Sequence, residues 1–476
     1  MLGGKLKVNL NKAKVLLKRP VISWALYDFA NTSFAVVIIT VVFPVFFTSV
    51  IAPAAQFGKN FGDLMWGLAS GISMLVGSFL APVFGTLADT TRSKNRYLII
   101  LTTLCIIFCS LLYFTGAGTI VRAMLLFIAA NFFYQISMMF YNSFLPELSE
   151  KGNTGFLSGF GFSLGYLGGL IMLSMIYPLL GRGLLDTNIP FIKLTFIITA
   201  LFFLVFSIPS FIFLKDKKTE SANSFNRHVL FQGQKFGNSP DDYKKADYKE
   251  AQNRSSSKNN IIISFFSNIV LLFGISFKKL RQTYKRMKTD KNLLKFLVAY
   301  FLFSNAFSIL AVYAAIYGRS TLNLSLQEIA FLFILGHFPV IISSIFFGWL
   351  ADRIGSKRVI IFTLLAWSLV IILVSAVNIK AVFYTAFIII SVITGSTLIA
   401  SRALMNFLTP FEREAEYFSF YAIGGKVSSI IGPVVFGIIS YFTKSQRLAL
   451  LSTLIFLVSG LATILTVKVP AKREAI

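Results

Sequence analysis

Few residues of this chain can do solute or proton chemistry, and nearly all of them lie inside apolar stretches. Asp28 and Lys426 stand in hydrophobic runs near opposite ends of the sequence. An ionised side chain there costs about 2.5–3.5 kcal/mol or more, and so it faces a partner or a cavity. Both fall at a similar depth, which leaves two roles open: mutual neutralisation, or separate binding of a charged solute. His337 sits near the middle of another stretch and is of the type that titrates near neutral pH, so proton coupling and ordinary hydrogen-bonded packing are both open. Arg402 offers a planar fork for a carboxylate or, alternatively, snorkels to lipid head groups. Tyr27, Asn31, Asn142, Asn305 and Asn406 add neutral hydrogen-bonding groups for a central cavity. Such a set suits reversible binding of a polar small molecule within a membrane. It does not suit catalysis. The two histidines, His228 and His337, lie in a polar linker and an apolar run, while the two cysteines, Cys105 and Cys109, sit one helical turn apart in another run. No nucleophile triad, metal cluster or disulfide framework can be assembled, and no phosphate-cradling glycine loop follows a strand. The expectation is a non-enzyme with no metal and no cofactor.

The elements that must position these residues are membrane helices. With 476 residues, 56% hydrophobic and 13% charged, and a mean hydropathy of +0.74, the chain is too apolar for a water-soluble domain. Hydropathy places spans at about 21–50, 63–88, 97–115, 122–146, 156–180, 190–214, 293–317, 326–351, 358–377, 381–407, 416–441 and 447–468. The expected organisation is a basic N-terminus (1–20), a six-helix bundle (21–214), a linker (215–291), a second six-helix bundle (292–469) and a short tail (470–476). The apolar run 261–277 reads as part of an interfacial helix, about 261–288, because a thirteenth crossing would move the basic cluster that follows it, Lys278 to Lys288, and then Arg353, Lys357 and Arg358 to the outer face. Twelve crossings place both termini, the linker and the basic loops in the cytoplasm, as expected of a bacterial inner (plasma) membrane protein. The formal charge of +26 is then read as a topology signal and a contact surface for anionic lipid head groups, and nucleic acid is excluded as a partner.

A short polar signature occurs twice. Gly85-Thr86-Leu87-Ala88-Asp89 runs into Arg92, Lys94 and Arg96, and Gly348-Trp349-Leu350-Ala351-Asp352-Arg353 runs into Lys357 and Arg358. The signature glycines are 263 positions apart; the patterns at Asn142 and Pro146 and at Asn406 and Pro410 repeat at 264, as do Gly168 and Gly432. Offsets that agree to within one position across three features indicate a duplicated half. Gly161, Gly165 and Gly168 and, in the second half, Gly425, Ser429 and Gly432 mark faces where helices approach closely.

The doubled signature resembles that of the major facilitator superfamily. More narrowly, the segments Trp24–Asn31, Tyr141–Leu148, Gly165–Gly169 and Arg413–Phe418 resemble one branch of it, similar to the fungal vacuolar amino-acid effluxer linked to autophagy and its bacterial relatives. The resemblance covers the whole chain. It implies the all-α, twelve-helix major facilitator fold and a secondary active or facilitative transporter, most readily of an amino-acid-like solute, working as a monomer by rocker-switch alternating access with a coupling proton or cation. It also implies a latch role for Asp89 and Asp352, with Arg92 and Arg353, that closes the cytoplasmic gate. The branch carries a carboxylate in helix 7 where this chain has Phe303-Ser304-Asn305-Ala306, which removes any coupling role there. A lipid or amphiphile carrier and a non-transporting membrane sensor or scaffold are the alternatives.

Overall fold

Within hydrocarbon a backbone must satisfy its own hydrogen bonds, so apolar stretches of this length become helices. The computed structural model describes residues 18–91, 93–149, 154–216, 290–409 and 414–469. They form twelve long helical units: α1 (Arg19–Ile51), α2 (Phe61–Thr91), α3 (Lys94–Phe114), α4 (Ile120–Ser143), α5 (Thr154–Ile176), α6 (Ile189–Phe213), α7 (Lys291–Leu322), α8 (Leu326–Ile354), α9 (Ser356–Ala376), α10 (Lys380–Leu408), α11 (Glu414–Thr443) and α12 (Gln446–Leu465). Eleven are long and apolar enough to cross a membrane, and α8 has the length with a shorter apolar part, Leu326–Val340. The linker segment 217–289, with the interfacial helix expected there, lies outside the described residues, as do 1–17 and 470–476.

Local chemistry fixes the helix ends. Asp290 caps α7 by accepting from the Leu293 amide at 3.1 Å, and Asn323 ends that helix in the left-handed region at φ 54°. Ser325 and Glu328 form a reciprocal capping box at the start of α8. Gly355, at φ 91°, makes the tight turn of the second signature between α8 and α9, a conformation that a side chain resists.

The duplication is visible as packing. In the first half α1 packs on α5 and α6, α4 on α2 and α3, and α3 on α6; in the second, α7 packs on α11 and α12, α10 on α8 and α9, and α9 on α12. Gly168 and Gly432 play matching parts. A Cβ on Gly168 would lie 2.0 Å from the Phe29 carbonyl oxygen, and one on Gly432 would lie 2.7 Å from that of Asn305. Each glycine lets two backbones touch where apolar burial supplies no drive between helices. The halves meet chiefly through α2 with α11 and α5 with α8, with α1 against α7 between them. Large apolar side chains such as Phe79, Val121, Leu125, Phe362 and Ile455 face outward, as a lipid-facing surface requires.

Candidate functional site in the gap between the halves

The segment Trp24–Asn31 builds a rigid wall of the first half. Trp24 donates from its indole to the Tyr141 carbonyl at 3.1 Å and stacks on the Tyr141 ring, with centroids 4.8 Å apart. The Tyr27 hydroxyl meets that of Thr102 at 2.7 Å and is fully buried inside the first half. Asn31 is 2% exposed; its amide donates to the Tyr27 carbonyl (3.0 Å) and to Asp28 Oδ1 (3.1 Å), and its oxygen accepts from the Tyr134 hydroxyl (3.3 Å). Tyr27 and Asn31 therefore hold the wall from behind instead of lining the cavity, as the sequence had led us to expect. Asn305 is likewise buried within the second half, donating to the Phe301 carbonyl at 2.7 Å.

Asp28 is held by Asn31 and half-buried beside Gly165, whose missing side chain leaves the carboxyl carbon 3.2 Å from the Cβ position. One turn along α5, a Cβ on Gly169 would stand 3.1 Å from His337 Nε2 of the second half and 3.0 Å from a Thr32 methyl. The stripe of glycines thus brings Asp28, Thr32 and His337 against one helix face, with the two Cβ positions about 5–6 Å apart. His337 Nδ1–H donates to the Phe333 carbonyl at 2.5 Å, so in the neutral ring Nε2 is the acceptor that faces the first half. Its ring packs edge-on against Tyr166 at 5.4 Å.

Lys426 lies one turn before Ile430, whose carbonyl approaches Gly71 of α2, so it belongs to the stripe of α11 that faces the first half. It is exposed, and among the described residues it makes no hydrogen bond or ion pair. Mutual neutralisation with Asp28, one of the two roles that the sequence leaves open, is not made in this structure. Arg402, Asn142 and Asn406 are also exposed. A cavity of about 280 Å³ opens beside His337 and runs into the second half. Thr40 and Tyr166 bound it from the first half, while Phe307, Trp367 and Phe387 form apolar walls. Thr40 belongs to a stretch of α1, Ala35–Val41, wound in wide π-helical turns, a distortion that often accompanies a functional site. The Trp367 indole N–H is buried with no acceptor among the described residues.

At the end remote from residues 18 and 469 the halves are tied together. Asn60 donates to the Ser440 carbonyl (3.0 Å), Tyr313 donates to the Asp63 carbonyl (2.7 Å), and the Asp63 carboxylate accepts from Ser440 Oγ (2.6 Å) and Gln446 Nε2 (2.8 Å). These bonds join the start of α2 to α7, α11 and α12 of the second half. Asp63 escaped the sequence reading because an acidic residue at the very edge of an apolar run looks like an ordinary boundary.

Of the doubled signature, Arg92 and the side chains of Asp89 and Asp352 lie outside the described residues, and Arg353 is exposed. The neighbouring Lys94 is paired within the first half, with its ammonium 2.6 Å from Glu147 of the Tyr141–Leu148 segment. Asp216, which follows α6, accepts from the Asn95 amide at 3.3 Å, and burial, then the Glu147 carboxylate, push its pKa above the ordinary value.

Comparison with known proteins agrees with this architecture. The chain is 25% identical over 461 residues to a Bacillus subtilis protein described as an uncharacterized MFS-type transporter, YxiO, with 92% of each chain covered. In fold it is similar to the nucleoside transporter NupG (TM-score 0.64, 11% identity, covering 95% of this chain and 99% of that one). It is also similar to the inward-open xylose transporter XylE from E. coli (TM-score 0.63, 11% identity, 97% of each chain). The family described as "Vacuole effluxer Atg22 like" matches residues 65–476. A twelve-helix fold of this kind, with a gap between two repeated halves, and a family match over most of the sequence place the chain in the Atg22-like family of major facilitator transporters.

Proposed function

We propose that this transporter carries a small amino-acid-like zwitterion by rocker-switch alternating access, with both termini in the cytoplasm of a bacterial cell and the gap facing inward. The observation that carries this reading is the pair of opposite charges on facing walls. Asp28 of the first half and Lys426 of the second are not paired with each other; Lys426 is exposed, and Asp28 is half-buried and, among the described residues, held by Asn31 alone. A solute ammonium would pair with Asp28 and its carboxylate with Lys426, with Arg402 a further cation on that wall. Bridging the walls would draw the halves together at the cytoplasmic end. His337, one helical turn from Asp28, is the candidate for a coupling proton. The apolar cavity beside it, smaller than the roughly 300–1,000 Å³ of drug-sized sites, suits one side group of a small solute better than a lipid chain. Asp89 with Arg92 and Asp352 with Arg353 serve as the cytoplasmic latch in the closed state.

Thermal-shift screening against amino acids, peptides, sugars and lysolipids, followed by counterflow in proteoliposomes, tests the assignment. A hydrogen bond to an ionised partner contributes about 1.5–3 kcal/mol, so Asp28→Asn and Lys426→Met should each weaken binding of the best ligand about 10- to 150-fold. Melting temperatures near that of the parent would show that the loss is one of binding. Binding without flux would point to a sensor, and unchanged affinity in both variants would refute the clamp.

A further inference from the structure

We infer that Asp63 is the latch of the outer gate, a positioning residue that holds the transporter closed to the outside; the inference rests on the alternating-access reading above. Its carboxylate comes from the first half and is 2% exposed, yet it accepts from Ser440 and Gln446, both of the second half. Gln446 is oriented for this task. Its amide oxygen accepts from Thr321 Oγ1 at 2.7 Å, which leaves the NH₂ end to reach Asp63 at 2.8 Å. Tyr313 completes the closure from α7, with its hydroxyl donating to the Asp63 carbonyl at 2.7 Å and lying 3.2 Å from that of Pro433.

The carboxylate stands apart from the nearby cations. Lys59 is exposed, Lys444 lies 3.8 Å over the Tyr441 ring, Arg319 donates to the Leu324 carbonyl, and Arg447 engages Tyr317. The ion pairs Lys94 with Glu147 and Lys380 with Glu328 lie elsewhere. The first turn of α2 directs amide dipoles toward an acidic side chain, a contribution that is the same whether the gate is open or closed. Only the bonds from Ser440 and Gln446 depend on closure, and a buried acceptor left without them is costly, which gives the latch its all-or-none character. The carboxylate at the matching third position of α8, Glu328, is engaged within its own half, by Lys380 at 3.0 Å and Tyr384 at 3.0 Å. The latch between the halves thus joins α2 to α11 and α12, with α7 beside them.

The test uses the full-length protein in proteoliposomes of one orientation, with Cys105 and Cys109 replaced by Ala and Thr40→Cys as a reporter deep in the gap. An impermeant thiol reagent added from outside reads the open population. Asp63→Ala should raise the labelling rate at least tenfold, and Ser440→Ala, which removes one donor and strands no charge, should raise it severalfold. Lys380→Ala, at the same end but within the second half, should leave it unchanged. An unchanged rate in both Asp63→Ala and Ser440→Ala, in protein that still shows solute counterflow, would overturn the latch and leave alternating access standing. Labelling from one side only in every variant, with no counterflow, would overturn both.

Discussion

Gly67→Ala should open the outer side. Gly67 lies on α2 where it crosses the second half, and a Cβ there would stand 2.5 Å from the Tyr313 hydroxyl and 2.6 Å from the Pro433 carbonyl oxygen. The second of these is backbone and cannot rotate away. Overpacking of this kind costs about 1–3 kcal/mol. Both contacts come from the opposite half, so the cost falls on the outer-closed state and is relieved when α2 and α11 part. A bias of that size changes the ratio of the two states about 5- to 150-fold toward outward-open. Gly168→Ala is the matched control. Its Cβ would meet the Phe29 carbonyl at 2.0 Å, but within the first half, so it should lower the melting temperature without favouring either state. Spin labels at Lys59 and Ile379, both exposed at the outer end, report the separation of the halves. A distance distribution in Gly67→Ala that matches the parent, in a folded protein, would refute the claim that the α2–α11 contact holds the outer gate shut.

Other expectations follow from the same geometry. Asp89→Asn should weaken the cytoplasmic latch by about 1–2 kcal/mol and enrich the inward-open state roughly 5- to 30-fold, to be read from distances across the cytoplasmic mouth with solute present. For Asp216, whose folded pKa is raised, the stabilising contribution is complete below the ordinary carboxylate value and is lost as pH rises through the folded one. Asp216→Asn should therefore raise the melting temperature at pH 7 to 8, with the gain fading toward pH 4; an equal gain at both would rule out a titration effect. Single cysteines at Ser221 or Ser256, in a background without Cys105 and Cys109, should resist an impermeant thiol reagent applied to intact cells. Ready labelling there would overturn the cytoplasmic placement of the linker.

The fold was legible because membrane length, glycine spacing and duplication are all one-dimensional signals. Gly168 and Gly432 were found by their offset alone, and the structure gives both the same task against a neighbouring backbone. The site was legible only in part. Asp28 and Lys426 stood out as charges in apolar runs, but hydropathy carries no information on which way a helix faces. Tyr27 and Asn31 turned out to brace the wall that holds Asp28 instead of lining the gap. The outer lock was invisible for a different reason: Asp63, Ser440 and Gln446 are common polar residues near helix ends, some 380 positions apart, and only folding makes them a network. The apolar cavity is assembled from Phe307, Trp367 and Phe387 of three helices in a chain with 52 phenylalanines, a background against which no single aromatic residue can be distinguished.

The most direct test of alternating access is a pair of distances measured in the same membranes with and without the solute that stabilises the protein most. One spans the outer end, between labels at Lys59 and Ile379, and the other the terminal end, between labels at Lys18 and Arg358, all four positions being exposed. Solute should shorten the second distance and populate a longer component of the first. Distances that both stay fixed, or both contract together, while the solute is carried across the membrane would contradict the account.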